Sequence, residues 1–365
     1  MPVALALLLL MLAACSRPPE EIAQPMPVEA GIDVPAGYAA HAEAQGAQDP
    51  RALVFEPGSG RPVVVEGEPA RLSAIQPGGS LRPLAHGGDN GPWTGAAVMG
   101  GTIYVAEAGG PQGGRILAVE PTGTVKPLKA QLPGGSTVGP LAAGNDGWLY
   151  VGVASARAAG GKTPDVPCQD IRIKGGGEIE GAVPCTGSVL RVRPETGQVE
   201  VHAWGFRDPV GLAFTADGKL LVSEDLPDDP ALSPAGDVLV AAVPGVWYGW
   251  PDYAGQLAMA DPQLADTPNP PPPPLARLRG DAKGVAAASD QAFGGANQAF
   301  VALSPTPAST GGTVAYTSLD TGETAPFAAR LDHPTAIAFS PDGAAMWVAD
   351  AGTGTLWRIS AATAP

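Results

Sequence analysis

Long helical patterns are missing from this 365-residue chain, and with them the helical bundles and alternating α/β folds that amphipathic helices build. Aromatic residues are few, at 5%, while 44% of residues are apolar, so Ala, Val and Leu rather than stacked rings must fill the interior. Cations are scarce too. Lys and Arg number 21 against 36 Asp and Glu, and a net charge of −15 repels phosphate backbones and anionic lipid surfaces, which argues against nucleic acid as a partner. Only three cysteines and four histidines occur, and no CxxCH haem site is among them.

What the chain has in quantity is glycine and proline, 50 and 41 residues, about a quarter of the whole. They fall between short apolar runs rich in Val, Ile, Leu and Tyr, which is the pattern of many strands joined by tight turns rather than of disorder. The first fifteen residues, MPVALALLLLMLAAC, are one apolar run too short for a permanent span and ending in small residues before a cysteine. Residues 1–14 read as an export signal. Leu12-Ala13-Ala14-Cys15 resembles the bacterial lipobox, which makes Cys15 the lipidated first residue of an envelope lipoprotein, although no Lys or Arg precedes the apolar run. A simple secretory signal with a coincidental cysteine is the alternative. Residues 15–30 mix prolines with acidic and polar residues and read as a flexible tether, and the folded domain is expected over 31–362. With Cys15 lipidated, Cys168 and Cys185 remain as an even pair in an exported protein and are expected to form a disulfide around a glycine-rich excursion.

One unit recurs along the domain: a short apolar strand, a turn with Asp-Gly or Gly-Gly, and a second strand. It appears as ALVFEPGSGRPVVVEG, AAVMGGTIYVAEAG, PLAAGNDGWLYVGVAS, GLAFTADGKLLVSED and AIAFSPDGAAMWVADAG, with a degenerate copy around FGGANQAFVALSP and GGTVAYTSLD. Several copies continue into a third strand, as in GSVLRVRPETG. A sheet of this kind buries both faces only when its neighbours pack against it, so the pattern predicts an all-β fold, a six-bladed β-propeller. The proline run TPNPPPPPLARL, residues 267–278, is expected to be a stiff surface connection between blades.

Several segments also carry a family resemblance. IDVPAGYAAHAEAQGAQDPRALVFEP resembles the opening blade of the glucose/sorbosone dehydrogenase family, GFRDPVGLAFTADGKLLVSE its Arg-Asn-Pro segment, VWYGWPDYAG its Tyr-Gly-Trp-Pro loop, and HPTAIAFSPDGAAMWVADAGTGTLWRI its last blade. The resemblance implies a protein that oxidises a sugar or related alcohol with pyrroloquinoline quinone (PQQ) and calcium. It implies a cofactor contact at Arg207, with Asp208 standing where the family has Asn, and calcium held by backbone carbonyls of Leu226 and Pro227. Arginine suits that role, since its planar fork grips a carboxylate and the quinone is a tricarboxylate. Arg207 can equally pair with Asp208 or a neighbouring blade and brace a loop. Asp225, Asp228 and Asp229 add carboxylates to the turn, the last two read as a solvated blade edge.

The family's proton acceptor is a histidine, and here Ser136 occupies its place, while Ser155 stands where an aspartate is expected. His41 and His86 lie in the segments read as the first blades, His202 on the strand before the GFRDP loop and His333 at the start of the last blade, each with a structural or surface role. Two function classes follow: a membrane-tethered sugar or alcohol dehydrogenase, or a propeller without catalysis that binds a carbohydrate or envelope partner through the same mouth. A calcium-dependent hydrolase is a third class, without a carboxylate and histidine constellation to mark it.

Overall fold

The structure, a computed structural model, describes residues 31–88, 90–110, 113–133, 137–156, 172–174, 178–180, 185–227, 236–259, 270–289, 291–307, 309 and 311–362. Residues from Ile32 onward form one compact unit. It contains six four-stranded antiparallel sheets, the blades of a propeller. Each blade begins at an innermost strand, and these are Pro50–Phe55, Trp93–Met99, Val138–Ala143, Pro209–Phe214, Asp281–Ala287 and Pro334–Phe339 for blades 1 to 6. The six touch in cyclic order, the last against the first, so the ring closes.

Closure also involves the chain ends. Tyr38–Ala44 pairs antiparallel with Thr355–Ala361 and forms the outer edge of blade 6, with Tyr38 opposite Ala361. The segment read as an opening blade therefore splits: its first strand completes the last blade, and His41 lies there rather than in a first blade. Strand order in sequence cannot reveal this, because the pairing joins residues more than 300 positions apart.

Every innermost strand slips register against its neighbour near its start, as between Pro50 and Ala52 or Pro209 and Gly211. The same irregularity recurs in the other four blades. Such bulges twist the strand where the blades crowd around the axis. Small residues sit at this point for a steric reason: a Cβ on Gly95 would lie 2.9 Å from the backbone of Leu141 in the next blade. Prolines open three of these strands, at Pro50, Pro209 and Pro334, the strand position where a missing N–H costs least.

Aliphatic side chains fill most of the interface between blades, as composition predicts. Around blades 5 and 6, however, Tyr38, Phe293, Phe300, Phe327 and Phe339 form an aromatic cluster with ring centroids 5.0 to 6.0 Å apart. The proline run does not join two blades as expected. Residues 270–275 lead into Ala276–Arg277, the short outer strand of blade 4, so the run lies inside that blade's third-to-fourth connection and not between blades. The glycine-rich excursion leaves blade 3 between its second and third strands and carries a small hairpin, Arg172–Lys174 with Glu178–Glu180. Cys185 is disulfide-bonded. Cys15, Cys168 and Ser136 lie outside the described residues, as do Asp228 and Asp229.

Candidate functional site at the blade 4 mouth

Antiparallel pairing places the start of each innermost strand opposite the end of the second, so the loops entering the blades and the loops after the second strands share one face. A carboxylate recurs at that second-strand end. Glu66 accepts the Gln48 N–H at 2.8 Å, Asp350 accepts the Asp332 and His333 N–H groups at 2.9 and 2.7 Å, and Glu224 accepts the Arg207 N–H at 2.8 Å. Glu107 holds Asn90 Nδ2 at 3.0 Å in blade 2. Each satisfies polar groups of the loop entering its blade and so fixes where the loop's side chains point.

In blade 4 that loop is GFRDP. Gly205 and Phe206 donate N–H groups to Gly187 O at 2.9 and 3.0 Å, and fully buried Phe206 stacks on Tyr248 with centroids 4.8 Å apart. Tyr248 belongs to the YGWP loop, whose Trp250 N–H donates to Gly205 O at 2.8 Å. The two family-like segments are thus one packed unit. Gly205 is required within it, since at φ 80° a Cβ would sit 2.3 Å from the Trp247 ring.

Arg207 is held out of this unit toward the loop after the second strand. Its Nη1 donates to Asp225 Oδ1 and to Asp225 O, both at 2.9 Å, while Asp225 N–H donates to Asp208 O at 3.0 Å. Among the described residues, Arg207 therefore pairs with Asp225 and not with its sequence neighbour Asp208. Buried Asp237 accepts the Leu226 N–H at 2.9 Å and the Ala282 N–H at 2.7 Å, tying blade 4 to blade 5. Asp281, at the start of blade 5, pairs with Lys283 at 2.5 Å. Asp225, Asp237 and Asp281 converge, each offering one oxygen within 4.8 Å of the others.

Acid outweighs base here, with Asp208, Glu224, Asp225, Asp237 and Asp281 around Arg207 and Lys283. Burial pushes Glu224 up to about 8, and burial with the neighbouring Asp225 and Asp281 charges pushes Asp237 up to about 7. Asp208 rises to about 6, through burial first and the Asp225 charge second. A cluster of this composition lowers its energy by taking up protons or a cation. Hard oxygen donors at the edge of a loop, with backbone carbonyls beside them, are the donor set of calcium.

Sequence reasoning placed the metal at Leu226 and Pro227, and Leu226 does adjoin the cluster through its N–H bond to Asp237 while its side chain is buried. It missed Asp237, Asp281 and Lys283. The signal for two of them was a Gly-Asp pair directly before an apolar strand, GDVLV and GDAKGV, which places a carboxylate at the face where the loops gather. Ser155 is buried and structural: its N–H donates to Arg207 O at 2.7 Å, and its hydroxyl accepts Trp250 Nε1–H at 3.0 Å. His41, His86 and His333 are exposed, and His202 lies in the packing between blades 3 and 4, away from this face.

The chain superposes with TM-score 0.63 on the PQQ-bound form of an aldose sugar dehydrogenase from Streptomyces coelicolor, at 18% identity, covering 90% of this chain and 99% of that one. The fold is that of the aldose sugar dehydrogenases. A calcium structure of a Trichoderma reesei carbohydrate-active enzyme of family AA12 matches with TM-score 0.65 at 15% identity, covering 91% and 97%. In sequence, 71 residues are 41% identical to quinoprotein glucose dehydrogenase B of Acinetobacter calcoaceticus, which is 19% of this chain and 14% of that protein. No protein-family profile matches the chain.

Proposed function

We propose that the chain is an exported, lipid-anchored sugar dehydrogenase of the quinone-dependent type, which binds calcium and PQQ at the blade 4 mouth and oxidises an aldose or related alcohol. The convergence of Asp225, Asp237 and Asp281 beside Arg207 carries this reading. The residues fit calcium directly. They fit a tricarboxylate only with the metal in place, because the carboxylates repel it until a divalent cation offsets their charge. Arg207 then supplies a charge-assisted donor for a carboxylate, with Asp225 shared between the arginine and the metal.

When bound, the quinone supplies the hydride acceptor. The chain's own residues bind and orient it: Glu224 fixes the backbone of Arg207, and the Phe206, Tyr248 and Trp250 packing fixes the loop that carries it. Lys283 sits on Asp281 and balances part of the acid excess. Removal of a hydroxyl proton needs a base, and Ser155 does not provide one, being committed to Arg207 and Trp250.

That commitment favours a second reading, a propeller that keeps the calcium mouth and binds a carbohydrate or envelope partner without turnover. Aldose-dependent dye reduction after reconstitution with PQQ and calcium separates the two, and calorimetric calcium binding tests their shared premise. Turnover supports the dehydrogenase; calcium and quinone binding without turnover supports the second reading; absence of calcium binding removes both. The anchor is tested separately: wild-type protein is expected to partition with membranes and Cys15→Ser is not.

A further inference from the structure

On the face opposite the mouth, packing leaves the gap between blades 3 and 4 open. A cavity of about 550 Å³ lies there, within the size range of small-molecule sites. Its two walls differ in chemistry. Blade 3 contributes Asp146, Tyr150, Arg191 and His202, whereas blade 4 contributes Phe214, Leu220 and the turn with Ala242 and Val243. Tyr150 and Arg191 are direct cross-strand partners, so they share one face of their blade.

The polar wall is tightly organised. Asp146 Oδ2 accepts the Tyr150 hydroxyl at 2.8 Å and Oδ1 accepts the Trp148 N–H at 3.2 Å. Arg191 donates Nε and Nη2 to Glu200 at 2.9 and 2.5 Å and lies over the Trp148 ring at 4.6 Å. His202 is 7% exposed and packs edge-on against Tyr150 at 5.0 Å. Burial holds its ring neutral, with the pKa down to about 4. Its Nε2 approaches Ala242 O at 3.4 Å, and Nδ1 is buried with no partner. A proton on Nε2 leaves Nδ1 as an acceptor in want of a donor.

Among the described residues lining the cavity, both cations are paired, Arg191 with Glu200 and Lys219 with Asp217 at 2.7 Å, and Asp146 adds a further carboxylate, which disfavours an anionic ligand. Acceptors at Asp146 and at the Tyr150 oxygen, with the N–H groups of Arg191 that Glu200 leaves over as donors, suit hydroxyl groups, which both give and take hydrogen bonds. The facing apolar wall suits the C–H face of a ring. We propose that this cavity is a second binding site, separate from the mouth, for a neutral pyranose-sized polyol, held by its hydroxyl edge on Asp146, Tyr150 and Arg191 and by its C–H face on Phe214, Leu220 and Val243.

Methyl β-D-glucopyranoside is the probe, since its blocked anomeric position leaves it no aldose to oxidise. Calorimetry is expected to show saturable binding in roughly the millimolar range. Hydrogen exchange should slow at residues 144–150 and 241–245 and not at 204–209. Val243 is 51% exposed, so Val243→Trp can be made without disturbing the core and should narrow the cavity and weaken binding at least about tenfold. Asp146→Asn and Tyr150→Phe should each weaken it about three- to tenfold, while Arg207→Ala at the mouth leaves it unchanged. No saturable binding at about 100 mM, far above the expected range, overturns the proposal. So does binding indifferent to both Val243→Trp and Asp146→Asn, or protection confined to the mouth loops. Binding of methyl glucuronide in place of the neutral glycoside overturns the ligand class assigned.

Discussion

Arg207 and Asp225 are joined by a 2.9 Å ion pair, and the same guanidinium nitrogen reaches the carbonyl of Asp225 at 2.9 Å. The pair ties the loop entering blade 4 to the loop leaving its second strand. Both side chains keep some solvent contact, so the arginine holds its loop while remaining within reach of a ligand in the mouth. Its backbone N–H is fixed independently by buried Glu224, which separates the loop's position from the guanidinium's charge.

Because of that separation, Arg207→Ala should leave the fold intact. Loss of the charge-assisted bonds should cost about 1.5–3 kcal/mol at most in quinone binding, a weakening of about ten- to a hundredfold. Stability should fall by less, since a partly exposed pair contributes little. Titrating PQQ into wild type and variant with calcium present checks this. A large loss of stability with unchanged quinone affinity would mean that the pair only braces the loop.

Gly205→Ala tests the packed unit itself. A Cβ at this residue meets the Trp247 ring at 2.3 Å on a backbone at φ 80°, so either the ring or the loop must move. The expected cost is about 2 kcal/mol or more, read as a lower denaturant midpoint, with quinone affinity falling as Arg207 is displaced. Unchanged stability would show that the GFRDP and YGWP loops are not coupled.

Blade number and strand order were legible because each blade repeats a local signal, two strands and a glycine turn within about fifteen residues. Closure was not, because Tyr38–Ala44 carries no mark of its distant partner Thr355–Ala361. At the mouth, Arg207 was legible from the segment around it, and its partner was not. Asp208 is adjacent in sequence but is not the ion-pair partner, whereas Asp225 comes from the far end of a hairpin whose register sets the contact. Asp237 and Asp281 lie on different blades and meet only once the ring is assembled.

Cys185 is disulfide-bonded, and the pairing proposed for it, with Cys168, would close the excursion of blade 3. Cys185→Ser should then lower stability by about 3 kcal/mol, the loop-closure entropy of a segment this size. Thiol titration of non-reduced, exported protein should find neither cysteine free, and two free thiols would contradict the pairing.

Stability should also fall as pH rises, unless calcium is bound. Glu224, Asp237 and Asp208 are pushed up to about 8, 7 and 6 in the fold, against about 4 for carboxyls in an unfolded chain. Between those limits the folded state holds more protons than the unfolded state. The slope of unfolding free energy with pH is therefore negative, and the contribution is complete below about pH 4 and lost as pH rises through about 8. Calcium competes with the proton for Asp237, and its charge disfavours protons on nearby Glu224 and Asp208, so its binding releases protons and strengthens with pH. Melting metal-free protein should give a lower Tm at about pH 8.5 than at about pH 5.5, and added calcium should raise Tm more at the higher pH. Asp237→Asn should reduce the pH dependence, leaving the Glu224 and Asp208 contributions, and abolish most of the calcium effect, because it removes one of the three converging carboxylates. A calcium shift equal at both pH values, or one that survives in Asp237→Asn, would place the metal away from Asp225, Asp237 and Asp281.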